Sequence, residues 1–147
     1  MRIKANLLLI AFVSLATISG LAVSGLLTAN KTMNSSGSVK AINVEVYWDI
    51  EGTQTVDNVD WGLPGPGDTV NRIMYVKNSG NAPMNLSLTI TSWTPAEAET
   101  HLIPSWNGEG ISIDPDEVVM VTLTLEVSEA VTGITDFSFT FIIEGSG

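Results

Sequence analysis

His101 is the single histidine of the chain, and it stands two and four residues after the carboxylates Glu99 and Glu97. Alternation of that kind could bring three ligand atoms to one cation, yet a lone histidine beside two acids is also the ordinary composition of a solvated loop edge. The second reading is the one adopted. Hydrolytic chemistry would need an activated nucleophile or a metal-bound water. The sequence holds neither Gly-x-Ser-x-Gly nor His-Glu-x-x-His, and it has no cysteine and no phosphate-cradling glycine loop with a lysine. No catalytic, cofactor-binding or metal-ligating residue is therefore assigned, and the chain is expected not to be an enzyme. Two groups of acids remain, Asp49, Glu51, Asp57 and Asp60 early and Asp114, Asp116 and Glu117 late. Calcium takes six to eight oxygens, but these spacings match no calcium loop, and a solvated acidic rim accounts for them.

Other residues suit binding or modification rather than catalysis. Trp48, Trp61, Trp93 and Trp106 would stack on sugar rings if exposed together, and would plug the ends of a small domain if buried. A domain without disulfides needs such plugs, which favours burial. Asn-x-Ser/Thr sequons occur at Asn30, Asn34 and Asn85, with Asn34 and Asn85 the glycosylation candidates in an exported chain. Sixteen acids against six Lys/Arg give a net charge of −10, a surface that repels polyphosphates and excludes nucleic acid as a partner.

The N-terminus bears on location. Arg2 and Lys4 precede the uncharged, apolar run Leu7 to Ala29, the order of an export signal. Twenty-three residues make a helix of about 35 Å, enough to cross a bilayer of about 30 Å, so an uncleaved anchor is also open. Small residues from Ser14 to Gly25 dilute the apolar run as a cleavage region would. Either way the remainder is expected outside the cell or on its surface, with membrane contact only through residues 7–29.

The elements that must position these residues read as strands. Residues 30–40, "NKTMNSSGSVK", are polar and aperiodic, the composition of a linker. From Ala41 the chain alternates: Ile42, Val44, Val46 and Trp48 on one face, Asn43, Glu45 and Tyr47 on the other. Period two returns weakly at Thr55 to Trp61 and clearly at Asp68 to Asn78. It returns again at Met84 to Trp93, at Val119 to Val127 and at Phe137 to Ile143. Thr94 to Leu102 reads as a helical turn with Thr94 as its cap. "PGPGD" and "NSGNAP" read as turns bounding one strand. The expectation is an all-β fold: residues 41–147 as an antiparallel β-sandwich of about seven strands, Ig-like or jelly-roll-like, after a hydrophobic N-terminal helix in residues 1–29.

The order Val-Tyr-Trp-Asp (46–49), Asp-Trp-Gly (60–62), Pro-Gly-Asp (66–68), "YVKNSGN" (75–81), Trp93-Thr94-Pro95 and "FSFTFII" (137–143) resembles secreted archaeal Ig-like or jelly-roll-like sandwich proteins. More distantly it resembles the TasA/camelysin and archaeal bundling-pilus subunits. That resemblance implies a surface filament in which the N-terminal strand of each subunit completes the sandwich of the next. A peptidase label attached to camelysin-like proteins does not carry over, since no zinc peptidase motif is present.

The residues themselves permit the same assembly. Eleven linker residues extend about 36 to 40 Å, so the strand beyond them could reach a neighbour. Ile42, Val44, Val46 and Trp48 would then fill alternate pockets of its sheet edge, and head-to-tail repetition would build a filament. The function expected is thus a non-enzymatic structural or interaction module of the cell envelope, self-associating or bound to envelope protein or glycan. The alternative is a monomeric, secreted or membrane-tethered Ig-like domain that binds carbohydrate or protein.

Overall fold

The computed structural model describes residues 34–147. The N-terminal helix, the Asn30 sequon and residues 30–33 of the expected linker lie outside the described residues. Nine strands run in chain order: β1 (Asn34–Ile42), β2 (Val44–Tyr47), β3 (Asn58–Asp60), β4 (Thr69–Asn78), β5 (Met84–Thr94), β6 (Leu102–Trp106), β7 (Ser112–Ile113), β8 (Val118–Val127) and β9 (Asp136–Ser146). They form two sheets, ordered β3-β1-β9-β5-β7 and β2-β4-β8-β6. Every odd-numbered strand lies in the first sheet and every even-numbered one in the second, so no two consecutive strands are neighbours. All ladders are antiparallel except that of β1 with β9, which is parallel.

The core lies between the sheets and is made by alternation. Phe137, Phe139, Phe141 and Ile143 of β9 point inward, as do Val121, Leu123, Leu125 and Val127 of β8, and all are buried. Met74 and Val76 of β4 and Met84 and Leu86 of β5 complete the facing rows. Each side chain of this size contributes roughly 1.5–3 kcal/mol on full burial, which must carry the domain in the absence of disulfides.

Turn chemistry separates the rows. Before β4, Gly67 takes φ 81 and the Asp68 carboxylate accepts the Gly65 N–H at 2.7 Å. After β4, Asn78 is fully buried: its Nδ2 donates to the carbonyls of Ala82 (2.8 Å) and Ile113 (3.1 Å), and its Oδ1 accepts the Gly80 N–H (2.8 Å). One amide thus ties the "NSGNAP" turn to β7.

Four expectations change. Residues 34–40 are not linker but most of β1, an ordered strand paired on both sides, so the folded unit begins by Asn34 rather than Ala41. The segment Ala41 to Asp49 is not one strand: Asn43, at φ 60, breaks it and sends β1 and β2 into different sheets. The strands among the described residues number nine rather than about seven, because β1, the proline-containing β6 and the two-residue β7 carry too little alternation to be read. The helical turn is the 3-10 segment Ala96–Thr100, capped at its start by Pro95 with no side-chain bond, while Thr94 ends β5.

Candidate functional site

Strand β1 and the slot that holds it form the most unusual site among the described residues. β1 lies between the three-residue edge strand β3 and the long strand β9. Its register sets Ser35 opposite Phe137, Gly37 opposite Phe139 and Ser38 opposite Thr140. On the other side Gly37 meets Val59 of β3. Ser35 and Gly37 face the core and are buried, whereas Ser36 and Ser38 are exposed, and the Ser38 hydroxyl lies 3.3 Å from that of Thr140.

The floor beneath Ser35 and Gly37 is aromatic. Trp61, one residue past β3, has its ring centroid 6.3 Å from Phe139 and 6.0 Å from Phe141, and Trp93 stands 4.4 Å from Phe139. Phe137 and Phe139 stack at 5.9 Å. Arg72 covers the outer end of the row, its guanidinium 6.0 Å from the Trp61 ring and its Nε donating to the Asp60 carbonyl at 2.7 Å. A Cβ on Gly37 would lie 3.5 Å from the indole Nε1 of Trp61, from the Phe141 ring and from the Phe139 carbonyl. The glycine therefore sits directly over the indole nitrogen, with room for one small side chain.

That fit is incomplete in one respect. Trp61 is 1 % exposed and Ser35 9 % exposed, and the indole Nε1 and the Ser35 hydroxyl both lack a hydrogen-bond partner. Among the described residues these are the two buried side-chain polar atoms so placed. Each such orphan costs roughly 1–3 kcal/mol of desolvation without return. A glycine and a serine over an aromatic row also bury little apolar surface.

The residues singled out from the sequence fall elsewhere. Of the strand-donation set, Ile42 is the last residue of β1. Val44 and Val46 are buried in β2, which pairs with β4 in the second sheet, and Trp48 packs half-buried on the core. Ile42 thus lies in one sheet of its own domain and Val44 and Val46 in the other, with Trp48 just beyond the end of β2. Asn34 opens β1 opposite Asp136, and Asn85 is exposed on β5, opposite Ser112 and Ser146. Trp93 and Trp106 are likewise packed against the core and Trp61 lies within it, so the four tryptophans make no common platform.

The acids serve turns. Asp49 accepts the N–H groups of Thr53 (3.0 Å) and Gln54 (2.7 Å) and the Thr53 hydroxyl (2.6 Å), and the hydroxyl bond above all holds its carboxyl below the ordinary range. Tyr47 donates to Glu45 at 2.7 Å, which pushes its phenol up. Asp60 accepts the Gly62 N–H, and Glu117 that of Asp114. Glu97 and Glu99 are exposed on the 3-10 segment, and the His101 N–H closes it on the Ala98 carbonyl. Among the described residues no three His, Asp or Glu side chains are arranged to hold a metal ion.

Sequence reasoning missed β1, its slot and Asn78. The only sequence signal of the slot was the pair of widely separated stretches "VDW" and "FSFTF", whose aromatic residues meet beneath Gly37. Compared with known proteins, the chain matches no protein-family model and no curated protein.

Proposed function

We propose that the chain is a non-enzymatic, exported structural subunit of the cell envelope that assembles head to tail by donating its N-terminal strand to a second copy. The observation that supports this is β1 itself. With β9 it forms the one parallel ladder among the described residues, it is held on its other side by only three residues of β3, and it presents Ser35 and Gly37 to an aromatic floor. A strand so weakly anchored by side chains is replaceable, and the occupant that matches its slot is the same strand from another copy. Main-chain bonds to β9 supply affinity, and repetition of a contact that does not close builds a filament. This moves the donated element from Ala41–Asp49 to β1, with the apolar run Leu7–Ala29 before it serving export or anchorage.

The finer topology is jelly-roll-like. Strict alternation between sheets favours that order over an Ig-like one, in which some consecutive strands pair within a sheet.

A second reading, an interaction module that acts as a monomer, rests on the outer face of the β2-β4-β8-β6 sheet. Ile73, Met120 and Ile103 are more than half exposed there, beside Tyr75. The two readings are separated by size-exclusion and negative-stain electron microscopy of the full chain in mild detergent over a concentration series. Polymers that lengthen with concentration are the expected result. A single-sized monomer throughout refutes strand donation and leaves the interaction module.

A further inference from the structure

The two orphaned groups of the slot point to a second register for β1. In the register observed, Ser35 lies opposite Phe137 and Gly37 opposite Phe139, over the Trp61 indole. Advancing β1 by two residues along β9 preserves which face looks inward, since side chains alternate with period two. Ser35 then takes the place of Gly37. Its Cβ stands where 3.5 Å separates it from Nε1, so its hydroxyl comes within hydrogen-bonding reach of the indole. One displacement thus pairs the two buried atoms that otherwise have no partner. It also carries Lys40 from the register position of Ile142 to that of Glu144. The reverse displacement would bring the branched Val39 over the indole, where only a small side chain fits.

The same displacement solves a problem of reach. Only Asn43, at φ 60, separates β1 from β2. A one-residue link spans at most about 7 Å from Ile42 to Val44, too little to join a strand held in one domain to a strand held in another. After a two-residue advance, residues 41–43 form the link, and the span from Lys40 to Val44 rises to about 14 Å. Asn43 is then freed from its left-handed conformation.

We propose that the strand donated between copies sits two residues further along β9 than the strand held within one copy. The intramolecular register is the one the short Asn43 link imposes, and the intermolecular register is the one in which Ser35 satisfies Trp61. The inference rests on strand donation as the function and names its register.

The absence of cysteine makes the test clean. Two double variants of the full chain are prepared in mild detergent and oxidised after assembly: Ser36→Cys with Ser138→Cys, opposite in the observed register, and Ser36→Cys with Thr140→Cys, opposite only after the shift. The second pair is diagonal in the observed register, about 8 Å between Cα atoms, beyond the reach of a disulfide. The expected result is a ladder of disulfide-linked multimers from the Ser36/Thr140 pair and only internally bridged monomer from the Ser36/Ser138 pair. A ladder from the Ser36/Ser138 pair overturns the shifted register while leaving strand donation intact. A Ser36/Thr140 bond confined to monomers, or no multimer from either pair, overturns both. Gly37→Ser supplies a hydroxyl to Trp61 without any shift, so it is expected to lower polymer yield by roughly tenfold, the scale of one satisfied buried group. Unchanged yield counts against the driving force assigned to Trp61.

Discussion

Gly37→Ser should make the isolated domain more stable, although it adds a polar side chain to a buried position. The Cβ meets the Phe139 carbonyl, the Phe141 ring and the Trp61 Nε1 at 3.5 Å, all ordinary contact distances. The hydroxyl can accept from the indole N–H and donate to the Phe139 carbonyl, so it is not left orphaned itself. Satisfying the indole recovers part of roughly 1–3 kcal/mol, and replacing glycine inside a strand adds about 0.5–1 kcal/mol from lost unfolded-state freedom. After the desolvation of the new hydroxyl, a net gain of about 1–2 kcal/mol is expected, or about 4–8 °C in Tm for a domain of this size. Urea and thermal unfolding followed by tryptophan fluorescence measure it, with Gly37→Ala as the control that carries the entropic part alone. Serine stabilising no more than alanine would refute the reasoning, because it would mean that the indole N–H has nothing to gain from an acceptor there.

Asn78→Ala removes three hydrogen bonds from a fully buried amide and leaves the Ala82 and Ile113 carbonyls facing an apolar gap. A loss of about 2–4 kcal/mol in urea unfolding is expected, and a loss below about 1 kcal/mol would contradict the anchoring role. A Cβ on Gly108 would come within 2.6 Å of the Trp106 ring, and Trp106 donates to Glu109, which also caps the Leu88 N–H. Gly108→Ala should therefore displace the indole, cost about 1–3 kcal/mol and shift its fluorescence to the red, whereas an unchanged spectrum would refute the contact. The Asp49 carboxyl is held below its ordinary value of 3.8, first by the Thr53 hydroxyl. Its contribution is present above that value and lost as pH falls through the lower, folded one. The Thr53 and Gln54 amide resonances should titrate with a midpoint below 3.8, and a midpoint at or above it would sink the assignment.

Long strands with a clean contrast between faces were legible. β5, β8 and β9 place large apolar residues at every second position, and that pattern survives whatever packs against them. β1 was illegible for a physical reason: Ser and Gly on both of its faces carry no contrast, and its strand conformation is imposed by β3 and β9. The break at Asn43 was hidden differently. Ile42, Val44 and Val46 continue one alternation through it, and because both sheets face the same core, alternation cannot reveal a change of sheet. The early tryptophan in "VDNVDW" was visible as a residue of a weak strand, but its position under Gly37 depends on a partner strand far away in the chain. Asn78, inside a stretch rich in turn residues, read as turn chemistry although its side chain is the buried knot of that turn.

The alternation of consecutive strands between sheets has a consequence in time. No strand can find its ladder partner by closing a short hairpin, and β1 finds β9 across a separation such as that of Ser38 and Thr140, 102 residues apart. Topologies dominated by distant pairing fold slowly, because chain closure costs entropy before any contact repays it. Under the proposed export, with the N-terminus leading, β1 would emerge ahead of everything it pairs with, and its slot would be finished only when β9 arrives. For that interval each new chain would present a free strand and then a newly formed cleft, open under the proposed strand donation to its own β1 or to that of the preceding chain. Crowding at the site of export would then decide between closed monomers and growing polymers, and the rate of secretion would itself control the proposed assembly.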